Sequence, residues 1–273
     1  MTDLSIVIPT YDTASMTLRC CRAVLASMPA SSEVIVSDDG SRDGTTELFA
    51  REVPEVRVVQ LETNRGFAAA ANHGVAAAQG RIILLLNSDA IVEAGALQTL
   101  LSAFDEDPQL GVAGAQLLHE DGTPQWSGGR TPTLAWMVGV VSGLGYLARF
   151  FRRRSHETTR RVDWVSGAAM AFRRVVWRPL KDHYLFYCQD IDFCLQAKRA
   201  GWSVRIIAEA RVRHWLGGTK RQDHEYLYRD LLAWGKAYYG RAWYLLARPI
   251  LGTIRAIRRI AGGLAPAHRS RTD

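Results

Sequence analysis

Runs of apolar residues rich in Ile, Val and Leu alternate with helix-patterned stretches over the first 118 residues. The runs are residues 5–9 (SIVIP), 33–37, 55–61, 81–86 (RIILLL) and 111–118. Between them, residues 13–28, 44–52, 67–79 and 96–104 read as helices. Parallel strands need a crossover connection, usually a helix, so this alternation predicts βαβ units. Strands without a polar face must be covered on both sides. The pattern therefore predicts an α/β fold of three layers (α/β/α) with a mostly parallel central sheet. Composition agrees, since 48% hydrophobic and 22% charged residues exclude wholesale disorder.

Ligands of such sheets bind beyond the carboxyl ends of the strands. The first four runs stop at Thr10-Tyr11-Asp12, Asp38-Asp39-Gly40-Ser41, Asn64-Arg65-Gly66 and Asn87-Ser88-Asp89. Adjacent strand ends carrying carboxylates and amides describe one polar site. Asp43 reads as the N-cap of the helix over residues 44–52. No GxGxxG follows the first run and no GxxxxGK[ST] occurs, which disfavours a dinucleotide fold and a P-loop NTPase.

The formal charge of +7 hides a split. Residues 1–130 hold 8 Lys/Arg and 17 Asp/Glu, a net of −9, whereas residues 131–273 hold 26 and 10, a net of +16. All eight Trp follow residue 125. Such asymmetry suggests two jobs, with an anionic partner near the second half. Basic residues 255, 258 and 259 interleave with Ile250, Leu251, Ile254, Ile257 and Ile260 at helical spacing, the pattern of a helix that lies on anionic lipid. No nucleic-acid-binding motif accompanies the charge. Residues 131–148 carry no charge and precede an arginine cluster at 149–154; three glycines and a proline weaken them as a membrane span. No signal peptide is visible, and Cys20, Cys21, Cys188 and Cys194 form no CxxC pair, so reduced thiols and a cytoplasmic location are expected.

The ordered set SIVIPTYD, VIVSDDGSRDGT, NRGFAAAANHGVAAAQGRIILLLNSDA, WVSGAAMAFRR, FYCQDIDFCLQAKRAGW and RVRHWLGG resembles family 2 glycosyltransferases of the GT-A type. Within that family the likeness is to bacterial rhamnosyltransferases of cell-wall and surface polysaccharide synthesis. It covers about residues 3–220. The resemblance implies a nucleotide-sugar-binding half over residues 1–125, an acceptor and catalytic half over 126–220, and a basic amphipathic helical extension over 221–273.

The resemblance also assigns roles. Thr10 and Tyr11 line the base and ribose, Asp38 accepts the N–H of a pyrimidine, and Arg65 meets phosphate or ribose. Asn87 and Ser88 lie beside the nucleotide. Asp89 holds Mg²⁺ or Mn²⁺ together with the diphosphate, and His214 completes the metal shell or touches the diphosphate. Asp190 is the general base, with Gln189 standing where relatives carry Glu. Ile191, Cys194 and Leu195 place a helix start at Asp190 and Asp192, where carboxylates also suit the helix dipole. Trp164, Ser166, Gly167 and Asp192 face the acceptor, with core packing the alternative for Trp164. The implied reaction is inverting, metal-dependent sugar transfer, best matched by dTDP-L-rhamnose as donor. The implied acceptor is a glycan or polyprenyl-diphosphate-linked hydroxyl at the inner face of the cell membrane. Another nucleotide sugar, or a non-catalytic binding subunit, is the alternative.

Overall fold

The structure is a computed structural model that describes residues 2–142, 158–185, 187–215 and 224–263. The chain divides into two compact units, residues 1–131 with 154–222 and residues 132–153 with 223–273. This differs from a boundary at 220, because the uncharged stretch after residue 131 groups with the C-terminal helices.

The first unit opens with β1 (Leu4–Thr10), α1 (Ala14–Leu25), β2 (Ser32–Asp38), α2 (Thr45–Glu52), β3 (Arg57–Gln60), α3 (Phe67–Ala77) and β4 (Ile82–Leu86). It continues with β5 (Ala90–Val92), α4 (Ala96–Glu106), β6 (Leu110–Leu118) and β7 (Gly128–Gly129). Later segments add β8 (Arg160–Arg161), β9 (Trp164–Val165), β10 (Ala169–Arg173), α6 (Gln189–Arg199) and β11 (Ser203–His214). The main sheet runs β3-β2-β1-β4-β10-β6-β11-β5, with β8 also on β11. Strands β3, β2, β1, β4, β6 and β11 share one direction; β10, β5 and β8 oppose them. The expected three-layer, mostly parallel α/β sheet is thus present, with an antiparallel β10 wedged between β4 and β6.

Every residue of β1, β4 and β6 is buried, as their unbroken apolar runs require. On one face, Phe49, Phe104 and Leu97 of the helices meet Ile8, Leu84 and Leu117 of the strands in a single core. On the other face α3 lies close against β1 and β2. A Cβ on Gly74 would come 2.4 Å from Val7 Cγ1 and 2.9 Å from Ser37 Cβ, so only glycine permits that approach. Asp43 stands one residue before the N-cap of α2, and its Oδ1 accepts from Thr45 Oγ1 of that helix at 2.6 Å. Its Oδ2 accepts the Ala14 N–H at 2.7 Å, capping α1, and Gly44 occupies the N-cap of α2.

The second unit holds α5 (Leu134–Ser142), α7 (His224–Tyr239) and α8 (Arg241–Gly263). Trp234 stacks on Tyr238, and Tyr239 stacks on Trp243. Tyr239 Oη donates to Pro132 O at 2.8 Å, tying α7 to the entry of α5. No described helix is long and apolar enough to cross a membrane. The arginine cluster at 149–154 lies outside the described residues.

Candidate active site at the carboxyl edge of the sheet

The shared direction of β1, β2 and β3 brings Thr10, Asp38 and Gln60 side by side at one edge. Asp38 is fully buried; its Oδ1 accepts from Ser41 N and Oγ, and its Oδ2 accepts from Gln60 Nε2 at 2.9 Å. Gly40, with φ of +76°, closes this turn against the Thr63 backbone. Gly40, Ser41, Arg42, Gln60, Leu61 and Glu62 border an open cavity of about 300 Å³. Asp38 is not among the residues bordering it, whereas its partners Gln60 and Ser41 are. Gln60 is a residue that sequence reasoning missed, since a lone Gln ending a short strand carries no signal.

Asp39 faces the other way. It accepts the Arg65 and Gly66 backbone N–H groups, both at 2.8 Å, and so fixes the loop before α3. Burial raises its pKa, opposed by those two N–H bonds. The Thr10 hydroxyl pairs with Thr13 and Thr17, whereas Tyr11 and Arg65 are exposed at the rim. Asp12 adopts φ of +48°, and its Oδ1 accepts Arg42 N at 2.8 Å.

The second cluster is built by long-range pairing. After β4 the chain crosses to the far edge, where β5 pairs with β11 and sets Ala90 opposite His214. Asp89 Oδ1 then lies 3.2 Å from His214 Nε2, and Asn87 Nδ2 lies 3.3 Å from the same nitrogen. Asp89, Ser88 and His214 are all buried. His214 Nδ1 contacts Gln125 Oε1 at 3.1 Å.

Asp190 begins α6 as expected, in the first turn with Asp192. Its Oδ2 accepts the Gly167 N–H at 3.0 Å and its Oδ1 the Ile191 N–H at 2.8 Å, which fixes the plane of the carboxylate. Burial raises the Asp190 pKa; the hydrogen bonds offset it only in part. Asn87 N donates to Ala168 O, and Ser166 N donates to Ser127 O. Backbone hydrogen bonds and short chain segments thus link Asp190, Gly167, Asn87, Asp89, His214 and the 125–127 turn into one circuit.

Two residues expected at the acceptor have packed or paired side chains. Trp164 is 5% exposed, its Nε1 donating to Arg130 O, so its ring is part of the packing. The exposed ring is Trp126, which meets Trp164 edge to face at 5.1 Å and was missed because it sits in an irregular loop. Asp192 is held by Lys181 at 2.8 Å and Gln196 at 2.9 Å.

A divalent cation would find one carboxylate and one imidazole here. Among the described residues no three His, Cys, Asp or Glu side chains group as a cage. That donor set fits a cation shared with a diphosphate, because Mg²⁺ usually takes one or two carboxylates and completes its shell with phosphate and water.

Comparison with known proteins matches these features. The family model described as glycosyl transferase family 2 covers residues 5–179. The N-acetylglucosaminyl-diphospho-decaprenol L-rhamnosyltransferase of Mycobacterium tuberculosis is 25% identical over 245 residues, 82% of this chain and 80% of that protein. The O-antigen chain rhamnosyltransferase RfbN of Salmonella typhimurium is 23% identical over 231 residues, 81% of this chain and 69% of its own. Among solved structures, a mannosyltransferase of Pyrobaculum calidifontis with GDP-Man and Mn²⁺ superposes with a TM-score of 0.59 at 18% identity, covering 96% of this chain and 75% of that one. The fold is therefore that of GT-A glycosyltransferases. With the family model spanning well over half its length, the chain belongs to glycosyl transferase family 2 and is a glycosyltransferase.

Proposed function

We propose that the protein transfers L-rhamnose from dTDP-L-rhamnose to a hydroxyl of a lipid-linked or glycan acceptor in cell-envelope synthesis, with inversion at the sugar carbon. The observation that carries this reading is the Asp190 carboxylate, held by two backbone N–H bonds within the circuit that also contains Asp89 and His214. The base and ribose occupy the cavity beside Gln60 and Ser41, with Tyr11 and Arg65 at its rim. Asp38 braces that wall and accepts from the base when Gln60 turns aside. Asn87 and Ser88 flank the diphosphate.

Asp89 and His214 would hold Mg²⁺ or Mn²⁺, which when bound offsets the charge of the leaving diphosphate. The acceptor O–H gives its proton to Asp190 as its oxygen bonds to the sugar carbon. The bond from that carbon to the diphosphate oxygen breaks, and its electron pair leaves with the nucleotide. An aspartate suffices as base because the proton becomes acidic late, as the bond forms. Ser166 and Gly167 border the acceptor, and Trp126 offers it the ring that Trp164 does not.

The acceptor's lipid places the reaction at the inner, anionic face of the membrane. Leu245, Leu246, Ile250 and Ile257 of α8 are exposed, and residues 231–263 contain no Asp or Glu. The exposed arginines Arg241 and Arg248 lie on the same helix. An exposed apolar face edged by basic residues suits an anionic bilayer.

A thermal-shift screen of dTDP-, UDP- and GDP-sugars with Mn²⁺, followed by transfer to a prenyl-diphosphate-linked sugar, tests the assignment. Stabilisation and turnover with dTDP-L-rhamnose support it. Turnover with a different nucleotide sugar alone would reassign the donor.

A further inference from the structure

We propose that Gln125 is a positioning residue: it fixes the tautomer and ring orientation of His214 so that Nε2 presents its lone pair beside Asp89. The inference rests on the metal reading of Asp89 and His214 and adds a residue outside that donor pair. Gln125 and His214 are 89 residues apart, and only the fold joins them.

The Gln125 amide spends both ends on His214. Its Nε2 donates to the His214 carbonyl oxygen at 2.5 Å, and its Oε1 faces His214 Nδ1 at 3.1 Å. An amide can be turned over without changing shape, but a backbone carbonyl can only accept, so the nitrogen end must face it. The oxygen end is then left to Nδ1, and that contact is a hydrogen bond only if Nδ1 carries the proton. In the neutral ring Nε2 must then be unprotonated. It points at Asp89 Oδ1, 3.2 Å away, with Asn87 Nδ2 at 3.3 Å, an amide that can donate to that lone pair until a cation takes its place. Both residues are nearly completely buried, at 3% and 9% exposure, so solvent does not compete for these bonds. An imidazole ligand oriented through its second nitrogen is the general device of metal sites.

Gln125 does not need its side chain to hold the turn. Its N–H donates to Leu117 O at 2.8 Å, and its carbonyl accepts from Gln116 Nε2 and Ser127 Oγ, both at 3.1 Å. Gln116 Nε2 also reaches Ser127 Oγ at 3.0 Å, and Ser127 Oγ accepts Leu117 N at 2.8 Å. The backbone of Gln125 itself is satisfied without the amide, so the amide's two bonds serve His214, one its carbonyl and one its ring.

The test uses Gln125→Leu, which removes both the donor to the His214 carbonyl and the acceptor for Nδ1–H, and Gln125→Glu, which loses the donor but keeps the acceptor. In ring-¹⁵N-histidine protein in mildly alkaline buffer, the wild type should show His214 protonated at Nδ1, assigned by its loss in His214→Ala. Gln125→Leu should shift that signal toward the Nε2-protonated pattern, and Gln125→Glu should keep it. By electron paramagnetic resonance with dTDP present, Gln125→Leu should bind Mn²⁺ about 10–100-fold more weakly, with Gln125→Glu recovering most of the loss. A Gln125→Leu protein with wild-type tautomer and wild-type Mn²⁺ affinity overturns the positioning role alone. Unchanged Mn²⁺ affinity in His214→Ala overturns the metal reading itself, and the inference with it.

Discussion

Asp190 must be ionised to accept a proton, and burial holds its pKa above the ordinary carboxylate value. The acid limb of kcat/KM is therefore expected at higher pH than a solvated aspartate would give, and Asp190→Asn should abolish that limb with the activity. The same shift predicts a stability effect. The folded-state pKa lies above the unfolded one, so stability present below the unfolded value is lost as pH rises through the folded value. At neutral pH Asp190→Asn removes a partly buried, desolvated charge and should raise the melting temperature while turnover collapses. A lower melting temperature would mean that the carboxylate's hydrogen bonds outweigh its desolvation. Trp126 gives an independent check on acceptor binding. Trp126→Ala should raise the acceptor KM, with donor binding by calorimetry unchanged. Equal acceptor KM values in the two proteins would remove Trp126 from the acceptor site.

Elements explain which residues were legible from the chain. The places of Asp38, Asp89 and Asp190 in the fold were legible because each ends or follows a strand or opens a helix whose local pattern is strong. Gln60, Gln125 and Trp126 were not, because their meaning comes from pairing across the sheet: Gln60 through β2, Gln125 through β11, Trp126 through β9. The antiparallel β10 was equally hidden, since residues 169–173 find β4 and β6 only after long connections. Packing of α3 on β1 and β2 depends on one missing side chain. Gly74→Ala should cost about 1–3 kcal/mol by overpacking, read as a lower denaturation midpoint. Helix α8 carries the membrane prediction. Wild type should sediment with anionic vesicles and less so at high salt, and Leu246→Glu with Ile257→Glu should release it. Equal sedimentation of wild type and variant would exclude that face.

Over the whole molecule the two charge totals divide by task rather than by chain half. The acidic residues that matter stand at strand ends: Asp38 and Asp39 are buried in their turns, and Asp89 lies against His214. The basic excess includes structural arginines as well. Arg173 donates to three carbonyls around the end of α4, and Arg174 donates to Ala78 O and Gly80 O. Arg173 and Arg174 are thus taken up by the fold, whereas Arg241 and Arg248 of α8 are exposed, a distinction composition could not make. The most direct test is sugar transfer by wild type and Asp190→Asn with dTDP-L-rhamnose, Mn²⁺ and a prenyl-diphosphate-linked acceptor, with dTDP·Mn²⁺ affinity measured in both. The account predicts turnover in the wild type and a loss of about 10²-fold or more in the variant at equal nucleotide affinity. An Asp190→Asn enzyme within a few-fold of wild type would contradict it.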